Sequence, residues 1–214
     1  MGEPVLDSQK PFRVEDHAAV VLCRTERGNL HLGLLHRGVG GSVSILHLGW
    51  EDNLAMDWKW ERLWAAPAVP AERLRSVSGL CRLIWEQYQA TRKFPYGLHY
   101  ASQFFTPDGS LQLDPRTEAG LTCSTFALAV FRTVGIELVD IASWPVRADE
   151  DRAFLEFVRP FAATNLIATL TAEVEAGCKR VQPAEVVGAC ADPPPVGFTV
   201  SKANGDRAIL MLDL

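Results

Sequence analysis

Three short apolar runs open the chain: HAAVVLCR (17–24), NLHLGLLHR (29–37) and SVSILHLGW (42–50), separated by ERG and GVGG. Runs of this length broken by glycine-bearing turns predict consecutive antiparallel strands in a three-strand meander. Beyond Pro70 the period changes. Leu74, Val77, Leu80, Cys81, Ile84, Trp85 and Tyr88 recur at helical spacing, with charged residues on the other face. This predicts an amphipathic helix within 70–93, ending before Pro95. From Phe94 to Thr122 aromatics mix with proline, glycine and aspartate, the composition of a long connection with at most short regular pieces.

The stretch CSTFALAVFRTVG is nearly all apolar, opens beside the cap-type residues Thr122 and Ser124, and stops at Gly135. It predicts a buried helix starting at Cys123. Asp149 to Gly177 reads as helix interrupted at Pro160, where proline removes a donor and crowds the preceding turn. After the proline-rich ADPPPVG, FTVSKANGDRAILMLDL reads as two alternating runs about Asn204-Gly205. The expectation is therefore an α+β chain forming one domain over 1–214, with 191–214 as a C-terminal hairpin extension.

Composition narrows the function. With 48% apolar residues in 214, the chain can bury a full core. A net charge of −5, with lysines and arginines scattered among acids, provides no basic field, so nucleic acid is excluded as an expected partner. Neither a leader-like N-terminus nor an apolar stretch of about 18 residues is present, so no membrane span is expected and the location reads as cytoplasmic, with leaderless secretion as the route elsewhere. Five cysteines (Cys23, Cys81, Cys123, Cys178, Cys190) without CxxC spacing read as reduced thiols. Asp52, Asp57, Asp140 and Asp149 are dispersed and read as solvated surface, so no metal and no cofactor is expected.

Cys123 stands out because the free amides and positive end of a helix N-terminus stabilise a thiolate. A base is also at hand. Pairing about GVGG in a register that sets residue 31 opposite about residue 47 brings His31 and His47 to one face of neighbouring strands. His36, an odd number of residues from His31, points to the opposite face. His17 is an alternative base, and His99 is equally open. Trp50, Trp58, Trp60 and Trp64 read first as core, and as a partner-binding surface if exposed.

FPYG followed by GLTCSTFALAVFRTVGIELVD resembles the PY-x-G and D-C-S-G-F-V-x-x-V-F-x-x-x-G-I-x-L pattern of NlpC-type cysteine peptidases, with one gap. HLGLLHRG and ILHLG are similar to that family's HVGIYLG and IHA strands, and HAAVVLCR to the strand before them. Both histidine-bearing strands precede the cysteine, as in circularly permuted members and the related lecithin-retinol acyltransferase-like proteins. The resemblance implies a papain-like fold with an antiparallel sheet against the cysteine-bearing helix. It also implies Cys123 as nucleophile, His31 as general base, His47 as its orienting group, and Tyr96, Thr122 and Ser124 as substrate-side residues. Thr122 stands where the family has aspartate, and Thr125 where it has glycine. The implied activity is a thiol hydrolase cleaving an amide bond, peptide or isopeptide-like, in a peptide or acylated small molecule. Two alternatives stay open: acyl transfer or lipid deacylation, favoured by an apolar channel beside Cys123 lined by Phe104, Phe105 or Trp144, and a non-catalytic binding module.

Overall fold

A computed structural model describes residues 5–6, 10, 12, 16–57, 63–91, 93–100, 104–113 and 120–213. The three apolar runs do become neighbouring strands, within one antiparallel sheet of six. These are β1 (Val5–Leu6), β2 (Ala18–Arg24), β3 (Leu30–Arg37), β4 (Val43–Leu48), β5 (Leu54–Asp57) and β6 (Leu63–Ala65), in the spatial order β1-β6-β2-β3-β4-β5. The register sets Leu34 opposite Leu46, two positions from the one expected. A two-residue shift keeps every side chain on its face, so His31 and His47 still share one.

Even-numbered strand residues such as Val20, Leu22, Leu32, Leu34 and Leu46 pack into the main core with the helices. Their odd-numbered neighbours Ala19, Val21, Leu35 and Ile45 pack with Phe12 and Trp64 on the other face. Burial on both faces is why the runs are almost continuously apolar. The aromatic segment after Trp50, read as a loop or packing surface, supplies β5 and β6. Trp64 is buried there, its indole N–H donating to the Lys10 carbonyl at 2.8 Å, while Trp50 is half-buried and Trp58 and Trp60 lie outside the described residues.

Helix α1 (Ala71–Tyr88) buries Leu74, Val77, Leu80, Cys81 and Ile84, the expected stripe. The long connection holds only β7 (Phe104–Phe105) and β8 (Leu111–Gln112). Helix α2 (Cys123–Thr133) is capped reciprocally. Thr122 Oγ1 accepts from the Thr125 amide at 3.2 Å, and Thr125 Oγ1 from the Thr122 amide at 2.7 Å. This is the capping box, with threonine in place of the usual acidic partner. Pro160 separates α3 (Ala148–Val158) from α4 (Thr164–Glu175).

The C-terminal hairpin is corrected. Residues 198–212 form helix α6 (Phe198–Leu212), packed on the short α5 (Pro183–Ala189). Asn204-Gly205 is not a turn. A β-carbon at Gly205 would lie 2.5 Å from the Ala184 carbonyl oxygen, and one at Gly188 would lie 2.0 Å from that of Ser201. The glycines are there because two helix backbones touch. Among the described residues no helix is long and apolar enough to cross a membrane.

His36 is fully buried, and neither ring nitrogen has a well-formed hydrogen bond to a described group. Burial pushes its pKa down to about 4; the Arg37 backbone offsets part of this, and the Arg82 charge adds to it. A histidine neutral when folded and protonated when unfolded binds fewer protons in the native state between its two pKa values. Stability is thus full above about pH 6.5 and falls as pH drops toward 4. His36→Leu is expected to remove about 2 kcal/mol of the stability difference between pH 7.5 and 5.0. Urea unfolding at the two pH values checks this, and an unchanged difference would refute it.

Candidate active site

Cys123 occupies the first position of α2, and the chain entering it is held by a close backbone crossing. The Leu121 amide donates to the Pro95 carbonyl at 2.8 Å. A β-carbon on Gly120 would sit 2.2 Å from the Tyr96 carbonyl carbon, and one on Gly97 would sit 2.5 Å from the Gly120 nitrogen. Only glycine permits that approach. The crossing brings the Pro95-Tyr96-Gly97 segment against the start of the helix. Glu173 secures its far side by accepting from the Leu98 amide at 2.7 Å.

On the sheet, His31 Nε2 lies 2.9 Å from His47 Nδ1, and His47 Nε2 lies 3.1 Å from Asp57 Oδ2. His31 is also hydrogen-bonded to Cys123. The direction of the bonds follows from chemistry. An ionised carboxylate only accepts, so His47 carries its proton on Nε2 and donates it to Asp57. A neutral His47 then accepts at Nδ1, and His31 must donate from Nε2. His31 Nδ1 is left as the nitrogen that exchanges a proton with the Cys123 thiol. Each member fixes the tautomer of the next.

The electrostatics agree with that assignment. Burial alone would raise the Cys123 thiol. The His31 charge and hydrogen bond, the Leu32 backbone amide and Ser124 outweigh it and hold the thiol below its ordinary value. Burial works against protonation of His31, but Cys123 and then Asp57 raise it on balance. His47 is pushed down to about 4 by burial and by His31, with Asp57 opposing. These directions favour a thiolate–imidazolium pair backed by a neutral histidine. The other four cysteines are buried and shifted upward, Cys23 and Cys178 to about 12, chiefly by desolvation. All five thiols are free, and only Cys123 is half-buried and lowered.

Cys123 and His31 open into a cleft of about 450 Å³ that Tyr96, Thr122 and Ser124 also line, together with Trp50, Phe154, Arg180 and Gln182. Tyr96 stacks on Trp50 at 4.4 Å between ring centroids. Burial and the Cys123 charge raise its phenol, so its O–H remains a donor. Thr122 spends its hydroxyl on the helix cap, whereas the buried Ser124 hydroxyl has no well-formed hydrogen bond to a described group. A larger cavity of about 660 Å³ lies on the other side of Tyr96, beside His99, Glu173 and Cys178, and reaches neither Cys123 nor His31.

The remaining candidates lie elsewhere. His17 is 3.4 Å from Arg75, His36 is buried beside the Arg37 backbone and feels the Arg82 charge, and His99 accepts from the Lys179 amide at 3.3 Å. None of Phe104, Phe105 and Trp144 lines the cleft. Phe104 is exposed, Phe105 packs on Phe94 and Phe126, and Trp144 donates to Glu185 at 3.1 Å. Asp57, by contrast, is not solvated surface of no consequence; it ends the hydrogen-bonded chain. The alternation of Leu54 and Met56 against Ala55 and Asp57 marks a fourth strand of the meander, but over four residues it is too short a signal to read in the sequence.

No protein-family model, curated protein or solved structure matches the chain. Its function therefore has to be read from the site itself.

Proposed function

We propose that this protein is a thiol hydrolase that cleaves an amide through a Cys123 thioester, on a circularly permuted papain-like scaffold of the NlpC type. The observation that carries the proposal is the continuous chain Cys123, His31, His47, Asp57, in which each bond direction follows from the one before. A lone buried cysteine at a helix start would have no base, and burial would oppose the lowering that the helix end supplies. Two histidine-bearing strands ahead of a cysteine-headed helix are also what the permuted scaffold requires.

The thiolate adds to the carbonyl carbon, forming a C–S bond and moving the carbonyl electron pair onto oxygen. The Cys123 backbone amide, a first-turn donor of α2, and the Tyr96 hydroxyl stabilise that oxyanion. As the C–N bond breaks, His31 passes its Nδ1 proton to the departing amine. The neutral imidazole then takes a proton from water, which attacks the thioester and releases the carboxylic acid, restoring the thiolate–imidazolium pair. Throughout, His31 keeps its Nε2 proton on His47, so the ring does not turn.

Iodoacetamide labelling across pH, with the modified cysteine located by mass spectrometry, tests the reading. Cys123 is expected to react well below the pH at which a free thiol would, and the four buried cysteines to stay unlabelled. His31→Ala is expected to move the Cys123 profile up toward or beyond that of a free thiol. A Cys123 that is inert in folded protein would sink the proposal.

A further inference from the structure

We propose that the groove running away from Cys123 along α3 is a binding site for a bulky aromatic or branched side chain flanking the scissile bond. This rests on the thiol-hydrolase reading above and adds the class of substrate. Phe154, Phe157 and, just past the end of α3, Phe161 recur at positions that share one helical face. Their rings form a ladder, with centroids 6.5 Å apart for Phe154 and Phe157 and 5.6 Å apart for Phe157 and Phe161. Phe157 is 43% exposed and Phe161 is 52% exposed, although Leu155 and Val158 already bury the inner face of the helix. Phe154 packs against that inner cluster, but the two exposed rings, Phe157 and Phe161, are not what holds α3 down.

The ladder leads out of the reactive site. Phe154 and Phe157 line the Cys123 cleft, and Phe157 and Phe161 line an adjoining groove of about 490 Å³. Trp50 lines both, making one trough with an aromatic on each side. The two guanidinium groups nearby lie over the outer rings, Arg180 4.8 Å from Phe154 and Arg27 4.8 Å from Phe161, and hold them in place. Polar groups line both parts of the trough: Arg180 and Gln182 line the cleft with Cys123, and Thr25, Glu26 and Asn29 line the outer groove with Phe157 and Phe161. An amide that carries a bulky apolar side chain fits this lining, with its ring on the ladder and its amide among the polar groups.

Alkylation of Cys123 by chloroacetamide and by N-phenethyl-chloroacetamide tests the trough without a known substrate. In each case the thiolate forms a bond to the methylene carbon and chloride leaves. Rates at Cys123, read by mass spectrometry, are divided by the rates of the same reagents with glutathione. The phenethyl reagent is expected to be favoured by about ten-fold or more, as burial of one ring allows. In Phe157→Ser/Phe161→Ser the preference is expected to collapse to the glutathione value. Circular dichroism checks the fold, and Phe161→Ser alone serves if the double variant does not fold. A wild-type ratio equal to that of glutathione overturns the proposal, as does a preference that survives the substitutions. If neither reagent labels Cys123, the hydrolase reading fails, and this inference falls with it.

Discussion

Cys123→Ala is expected to abolish acyl-enzyme formation and to lower the pKa of His31, its hydrogen-bond partner. The first effect follows from removing the only lowered thiol among the five. With 4-nitrophenyl acetate as acyl donor, the burst of 4-nitrophenolate should vanish and turnover should fall by at least about 10³-fold. The second follows from the balance at His31. Burial opposes its protonation, and the thiolate is the first of the groups that overcome burial, with Asp57 a smaller contributor. Remove the thiolate and burial prevails, so the imidazolium gives up its proton at lower pH. In the wild type the raised pKa stabilises the fold most fully below the ordinary histidine value, and the contribution fades as pH rises through the raised one. The variant loses that contribution. Histidine ring resonances followed by NMR across pH read the shift, and an unmoved His31 would mean that no ion pair exists.

Substitution of Asp57 is expected to have the next largest effect. Asp57→Ala removes the acceptor that fixes the His47 tautomer and should lower turnover about 10- to 100-fold, mostly in kcat. Asp57→Asn is expected to lose at least as much. Its amide can donate to His47 Nε2, which puts the His47 proton on Nδ1 and makes His31 Nε2 an acceptor. His31 Nδ1 would then hold the only proton and could not take one from the thiol. Asp57 is 46% exposed in its side chain, so both variants should fold, and thermal melting confirms that. A small and equal loss in the two would show that Asp57 merely solvates its neighbour.

Much of the site was legible because its parts are local. Cys123 at a helix start, Thr122 as cap and Gly135 as stop are statements about one short segment. The His31–His47 pairing needed only the parity of a hairpin, which survived a two-residue error in register. Asp57 was not legible in the same way. It required knowing that the chain after Trp50 returns to the sheet as β5, with Ala55 opposite His47 and Asp57 opposite Ile45. Four residues among tryptophans gave too short a period to read. The C-terminal error has a different origin. Asn-Gly between alternating residues is a strong local turn signal. In the protein it is overridden by a tertiary contact, because Gly205 and Gly188 let α6 close onto α5, a partner far too short to be recognised alone.

The crossing of Gly97 and Gly120 also insulates the site. Tied at both ends by backbone contact, the intervening segment is a closed loop whose ends stay fixed whatever happens along it. The entropy of such a loop grows only with the logarithm of its length. The β7–β8 turn within it rests on α1, where a β-carbon at Gly109 would lie 3.1 Å from the Ile84 nitrogen and the Leu111 amide donates to the Tyr88 hydroxyl at 3.1 Å. A change at that turn is therefore felt by α1 first, while two glycines fix where the segment leaves and re-enters the site.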